Sequence, residues 1–258
     1  MEILIITAHY KPEPNFITAD LAHQLQLRGH FVSVITAHPN YPYGRFYDSV
    51  TSIAPEKSIE DGVQVWRLPF FPDHSRSKLK RSFSYLSFTG IASIFSIFCA
   101  RRPKVVFVYQ TPFSSALASI WFKYVLKAKV YFICCDLWPE SFSATGVVES
   151  GLIMKIAYKY SRWINRRADF IVCSTRGMVA RYRNDNIAPE KLAYVPVWTD
   201  GIPTNPTASG VQKFRNRNLV YAGNIGSAQG LDILLEAGKV LQDEDIDFRI
   251  DVYGSGTE

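Results

Sequence analysis

Two carboxylates four residues apart, Asp136 and Glu140, follow an apolar run, Val130 to Cys135, in the stretch YFICCDLWPES. A short apolar run that ends abruptly in a turn signal is the pattern of a fully buried strand in a parallel sheet. Ligands of open α/β sheets bind outside the carboxyl ends of the strands, so both carboxylates fall where a substrate is expected. Pro139 keeps the strand from running directly into a regular helix. The same residues read equally well as a cap on the next helix, and their types and spacing leave the two readings open.

A second chemical group is backbone rather than side chain. The loop Gly223 to Gly230, GNIGSAQG, sits between a strand pattern and a helix pattern. Glycines there let backbone N–H groups approach a phosphate, and a helix N-terminus adds partial positive charge. Gly223, Asn224, Gly226 and Gly230 are the candidates, with Gly254 and Gly256 after the next strand. Two such turns in one unit point to a nucleotide diphosphate. The turn-rich segment from His38 to Ser58 is too long for a mere connector, and Asn40 and Tyr41 in it suit a sugar or ring substrate. The histidines, at 9, 23, 30, 38 and 74, are not at metal-ligand spacing. His9 and His38 follow strand ends and belong near the cleft. No Ser/His/Asp or Cys/His grouping is legible, and the acidic run Asp243 to Asp247 reads as a solvated turn, so no metal site is expected.

Charge narrows the partners. The 258-residue chain carries +6 overall, yet Arg76 to Cys135 holds ten Lys and Arg and no Asp or Glu. That segment is +10, so the rest of the chain is −4. Such a patch attracts anions: lipid head groups, a phosphorylated substrate or nucleic acid. Residues 82–100, SFSYLSFTGIASIFSIFCA, are uncharged between basic clusters: Lys78, Lys80 and Arg81 before, Arg101 and Arg102 after. As a helix they span roughly 28 Å, close to a bilayer core. The serines and a central glycine make a poor spanning segment. Two readings stand: a helix packed on the sheet through the stripe Phe83, Leu86, Gly90, Ile94 and Ile97, or an interfacial helix with its basic ends on anionic head groups. No nucleic-acid motif accompanies the basic stretch, which excludes that class. Hydrophobic residues at 47% support a real core. The cysteines Cys99, Cys134, Cys135 and Cys173 sit in apolar runs without redox spacing and read as buried thiols of a cytosolic protein. The N-terminus has no basic n-region and no cleavage pattern, so no signal peptide is expected.

The elements that must position these groups alternate. Strands are expected at 3–8, 31–37, 63–68, 104–109, 130–135, 170–173 and 192–197, with helices between them. These include a helix from about Phe16 closed by Gly29, one from Thr111 to about Leu126, and an amphipathic helix Leu152 to Arg167 with Ile153, Ile156, Ala157, Tyr160 and Ile164 on its apolar face. This is a Rossmann-like, doubly wound parallel α/β sheet over residues 1–198. It opens without the G-x-G-x-x-G of a dinucleotide fold. Residues 199–216, rich in Pro, Gly, Thr and Ser, read as a linker. Residues 217–258 read as the first βαβ unit of a second Rossmann-like domain, too small to bury both faces of a sheet unaided.

The stretches HYKPEPN, LRGHFVSVITAHPNYPYGRFY, DGVQVWRLP, RSFSYLSF, CDLWPES, RRADFIVCST and YAGNIGSAQGLDILLEA run nearly end to end. Together they resemble the family 4 (group 1) retaining glycosyltransferases of GT-B fold, and within them the bacterial fucosamine and colanic acid type polysaccharide enzymes. The resemblance implies an N-terminal acceptor-binding domain and a C-terminal domain for the nucleotide-sugar donor. It also implies sugar transfer with retention, no metal or other cofactor, and a polyprenyl-diphosphate-linked saccharide acceptor at the cytoplasmic, inner face of the membrane. Asp136, with Glu140 beside it, is then the expected catalytic carboxylate, and Asn15, Phe16, Asn40 and Tyr41 line the acceptor side. Cys135 stands where the family usually has histidine. The family's paired donor-site glutamates would lie beyond Glu258, so the chain is expected to be truncated. A separate chain supplying the donor domain is a possible partner, and the alternative is a non-catalytic, membrane-docking acceptor-binding fragment.

Overall fold

The computed structural model describes residues 1–75, 77–98, 102–141, 151–198, 218–226 and 229–256. The expected linker, Cys99, Arg76 and Arg101 lie outside them. Described residues up to Trp198 form one compact unit, and those from Asn218 form a second.

The first unit is an eight-stranded sheet. In chain order its elements are β1 (Glu2–Ile6), α1 (Phe16–Leu27), β2 (Phe31–Ala37), β3 (Glu56–Glu60), β4 (Val63–Leu68), α2 (Lys78–Phe98), β5 (Val105–Tyr109), α3 (Ser119–Tyr124), β6 (Lys129–Cys134), α4 (Gly151–Asn165), β7 (Phe170–Cys173), α5 (Arg176–Asn184) and β8 (Leu192–Tyr194). The strand order is β3-β4-β2-β1-β5-β6-β7-β8. All neighbours pair parallel except β3 with β4. The period-2 rule sends alternate residues to opposite faces. Leu4 and Ile6 join one core with Ile35, Val106, Phe132 and Ile171, while Ile5 joins another with Val32, Val34 and Val65. Helix α1 covers the second face through Ala19 and Ala22. Residues of α2 to α5, among them Phe88, Phe122, Ile164 and Tyr182, cover the first.

Three local expectations are corrected. The antiparallel edge strand β3 is absent from the sequence reading. Its signal is Asp61-Gly62, both at positive φ (50° and 79°), the pair that a two-residue hairpin with a right-handed twist requires. The segment expected as one helix from Thr111 is a 3₁₀ turn, Phe113–Ala118, followed by the short α3. The strand expected to reach Val197 ends at Tyr194, where pairing with β7 stops.

The second unit holds β9 (Asn218–Ala222), α6 (Leu231–Asp243) and β10 (Arg249–Tyr253), with β9 and β10 parallel. Gly238 of α6 sits against Ile250 and Phe248. Leu219, Val220, Ile233 and Leu235 remain exposed, as expected where one helix meets two strands.

Candidate functional site

The winding of the first unit changes direction between β1 and β5. From β1 the chain moves to β2 through α1 on one face; from β5 onward it moves the other way with helices on the opposite face. A crevice opens at the carboxyl ends of strands at such a switch point. The loops after β1, β2 and β5 meet there. Ala8, His9, Asn40, Phe70, Pro112 and Phe88 line a narrow crevice, which His74, Ser84 and Tyr85 complete.

Asp136 lies just past β6 and is exposed. Thr111 Oγ1, in the loop after β5, donates to its Oδ2 at 3.0 Å. The carboxylate is therefore tethered sideways across the strand ends, with half its acceptor capacity left toward solvent. Glu140 has a different setting. Arg181 Nε donates to its Oε1 at 2.9 Å, and Arg181 also holds Asp185 at 2.6 Å. Its charge is engaged in tying the loop to α5.

The turn that carries Asp136 is built from buried polar groups. Cys134 Sγ donates to Gln110 Oε1 (2.9 Å), Gln110 Nε2 to Asn165 Oδ1 (3.0 Å) and Asn165 Nδ2 to Ser161 Oγ (3.2 Å). Ser161 Oγ in turn donates to the Trp138 carbonyl at 3.1 Å. The Trp138 ring stacks on Phe113, with centroids 5.7 Å apart and planes at 11°. Ser161 and Asn165, with Ala157 and Ile164, form the buried face of α4, whereas Ile153 and Ile156 are exposed. The apolar-face assignment for this helix is thus corrected at those two positions. A buried polar pair replaced them because the loop's carbonyl needed a donor. Burial pushes the Cys134 thiol above its ordinary pKa and the Cys173 thiol up to about 11, so both stay protonated.

The loop after β1 holds a residue that the sequence reading missed. Glu13 has a side chain only 1% exposed. Its Oε1 accepts from the backbone N–H of Asn40 (2.7 Å) and Tyr41 (2.6 Å) and from Asn40 Nδ2 (3.1 Å). Its Oε2 accepts from the Tyr10 N–H and faces His9 Nδ1, each at 3.2 Å. One carboxylate so joins the loops after β1 and β2. The signal was available: an acidic residue between two prolines inside an otherwise apolar entry to α1. Of the expected acceptor-side residues, Asn40 is buried in this network. Tyr41 is exposed, with its ring 5.2 Å from both His9 and His74. Asn15 Nδ2 donates to the His9 carbonyl at 2.9 Å, and Phe16 is exposed at the start of α1. His38, expected near the cleft, is fully buried and bonds the Ala54 carbonyl through Nε2 at 2.9 Å, so it serves the interior.

Burial, with His9 and Arg81 nearby, lowers His74 from the ordinary 6.5 to about 4. The unfolded chain takes this proton first as pH falls. The contribution is fully present above about 6.5 and disappears as pH drops toward 4. Urea midpoints measured from pH 7 to 4 should therefore decline through this window, and the decline should be shallower in His74→Phe.

Helix α2 turns out to have two characters. Ser84, Phe88, Thr89, Ala92 and Ser96 face inward. Thr89 Oγ1 and Ser96 Oγ donate to the Tyr85 and Ala92 carbonyls, which satisfies them inside. Phe83 (59%), Leu86 (60%) and Ile94 (60%) are exposed, with Gly90 and Ile97 on the same stripe. The reading of that stripe as the sheet-packing face is thereby overturned. Lys80 and Arg102 are exposed, and Arg81 is half-buried, with its Nε enclosed. Lys78 begins the helix, but its side chain lies outside the described residues. Among the described residues no helix is long and apolar enough to cross a membrane.

In the second unit, Gly230 caps α6 with φ 61°, a left-handed conformation. Gly223 and Asn224 are exposed in the loop before it, and Gly226 is buried. Gly254 and Gly256 have a packing role: an added Cβ would lie 1.8 Å from the Gly223 carbonyl oxygen and 1.6 Å from that of Ile225.

Comparison with known proteins follows this geometry. Residues 14–198 match the glycosyl transferase 4-like domain. The chain is 27% identical to WcaI, a colanic acid biosynthesis glycosyl transferase of Escherichia coli, over 99% of this chain and 67% of WcaI. It is 26% identical to the glycosyltransferase WbjE of Pseudomonas aeruginosa over 60% of this chain and 43% of WbjE. The chain thus spans about two thirds of one relative and under half of the other. Among solved structures, sucrose-phosphate synthase of Thermosynechococcus elongatus superposes with a TM-score of 0.62 at 11% identity, covering 98% of this chain and 70% of that one. HepE of Anabaena, solved with UDP-glucose, gives 0.52 at 10% identity, covering 98% and 69%. These likenesses establish the shared fold, the GT-B Rossmann-like sheet.

Proposed function

Because the chain belongs to the glycosyl transferase 4-like domain family, we propose that it transfers a sugar from a nucleotide-sugar donor to a lipid-linked saccharide in surface-polysaccharide biosynthesis. The unit up to Trp198 takes the acceptor; the unit from 217 onward takes the donor. The observation that carries the lipid-linked acceptor is α2. Its inner face lines the crevice with Ser84, Tyr85 and Phe88, while its outer face is the apolar stripe with Lys80 and Arg102 at its ends. A helix of this kind lies in a membrane surface with its polar ends on anionic head groups. An acceptor whose lipid sits in the bilayer would find its saccharide at the crevice beside the same helix. The protein is then peripheral on the cytoplasmic face.

The donor reading draws on the glycine loop before α6, whose helix N-terminus suits a diphosphate, and on HepE being solved with UDP-glucose. Asp136 is the proposed catalytic carboxylate, since a negative charge at the strand ends stabilises positive charge that develops on a departing sugar. No metal is required.

The test uses the full gene product, radiolabelled UDP-hexoses and a bacterial lipid extract containing polyprenyl-diphosphate saccharides, with EDTA present. Label should appear in the organic phase. Asp136→Ala should reduce that label at least about 100-fold with an unchanged melting temperature, because the side chain is exposed and holds a single described contact. Label confined to free sugar in all incubations would refute the lipid-linked acceptor, and full activity of Asp136→Ala would remove that residue from the chemistry.

A further inference from the structure

The crevice carries more chemistry than an acceptor wall. Four of the five groups around Glu13 are N–H donors of fixed polarity: three backbone amides and the Asn40 amide. Such a set holds the side chain as a carboxylate. The fifth group, His9 Nδ1 at 3.2 Å, must then be a donor too. This places the imidazole proton on Nδ1 and leaves Nε2 as an acceptor. Among the described residues, no group bonds His9 Nε2.

Asn40 shows the same polarity. Its Nδ2 donates to Glu13 Oε1 (3.1 Å) and to the His38 carbonyl (3.0 Å), which fixes the amide orientation. Its Oδ1 is buried without a partner, in a residue only 1% exposed that lines the crevice. His9 and Asn40 thus bring two unsatisfied acceptors to a niche with room for about one water-sized group. A hydroxyl fits that size and that polarity; an anion does not.

We propose that the crevice receives the acceptor's nucleophilic hydroxyl, that His9 Nε2 takes its proton, and that Glu13 is the positioning residue for His9. This rests on the transferase reading above. The acceptor oxygen forms a bond to the anomeric carbon of the donor sugar. The bond from that carbon to the nucleotide's diphosphate oxygen breaks, and its electron pair leaves with the diphosphate. The hydroxyl proton passes to Nε2, and the imidazolium, stabilised by Glu13, later releases it to water. Asn40 Oδ1 accepts from a neighbouring donor group of the acceptor. The titratable and charged groups around His9 are Glu13 of its own loop and His74 at 6.2 Å, with Arg81 of α2 and Asp73 acting on His74.

The experiment uses the full gene product and the lipid-extract assay. His9→Ala should lower kcat about 10²- to 10⁴-fold without changing KM for the nucleotide sugar. The wild-type rate should fall tenfold per pH unit below the His9 titration, and His9→Gln, which accepts a hydrogen bond but takes no proton, should lose both rate and that acid limb. Product formed by His9→Gln at the wild-type rate, with the acid limb intact, overturns the inference. Failure of the transferase reading shows differently, as no lipid product from the wild type. Imidazole ¹⁵N NMR then decides. Nδ1 of His9 should carry the proton at pH 8, and titrated methyl hexosides should shift the Nε2 signal. A proton on Nε2, or no shift, overturns the assignment.

Discussion

A protein carrying Phe83→Ser, Leu86→Ser and Ile94→Ser should bind phosphatidylglycerol-containing vesicles about 100-fold more weakly than the wild type. Each of these side chains is about 60% exposed in the folded chain. Full burial of such a residue yields about 1.5–3 kcal/mol, so the exposed share contributes about 1 kcal/mol per residue on entering a bilayer surface. Three of them amount to about 3 kcal/mol, or two factors of ten at about 1.4 kcal/mol each. Folding should not suffer, because the inner face of α2 is untouched. Lys80 and Arg102 add an electrostatic part of about 1 kcal/mol per charge, which salt screens. Flotation should therefore weaken in 0.5 M salt and be poor on purely zwitterionic vesicles. If the triple variant floats like the wild type, the stripe does not meet lipid. If the wild type instead dimerises in solution and never floats, a second copy covers it.

Glu13→Ala should destabilise the first unit by about 3 kcal/mol or more. The substitution leaves the N–H groups of Tyr10 and Asn40, in residues 3% and 1% exposed, facing a void where a carboxylate stood. An orphaned buried donor costs about 1–3 kcal/mol, and hydrogen bonds to a charged acceptor are roughly twice as strong as neutral ones. For a chain of this size the melting temperature should fall by about 6–12 °C. Glu13→Gln keeps one oxygen for Asn40 and Tyr41 but turns an NH₂ toward the Tyr10 N–H, so its loss should be intermediate. Urea denaturation of both variants measures this. An alanine variant within about 1 kcal/mol of the wild type would mean that water replaces the carboxylate at no cost, and that Glu13 does not join the two loops.

The alternation of β and α patterns was legible because each element repeats a local period. Ile3 to Ile6, Val32 to Ala37 and Val130 to Cys134 are apolar runs of the length a buried strand needs. Gly29, at φ 78°, closes α1 where a left-handed residue is required. Asp136 at the end of such a run was equally legible, since a strand's carboxyl end is a property of the chain direction. The hairpin at Asp61-Gly62 was also written locally and was overlooked because β3, EKSIE, is too polar for a strand pattern.

Other features were beyond any local period. The uncharged α2 is apolar nearly all round, so its sequence is compatible with either face on the sheet. The choice fell to serine and threonine hydroxyls that bond their own helix carbonyls and can therefore be buried, which turned the bulky stripe outward. Whether Asp136 capped a helix or stood open was settled by Thr111, 25 residues earlier in the chain. Glu13 reaches Asn40 and Tyr41 across 27 and 28 residues. The chain thus determined by itself the elements, their order and the sheet edge that bears the site. Tertiary structure alone decided which carboxylate is open, which is buried and which nitrogen of His9 is bare, because protonation and exposure depend on partners that only folding brings within hydrogen-bond reach.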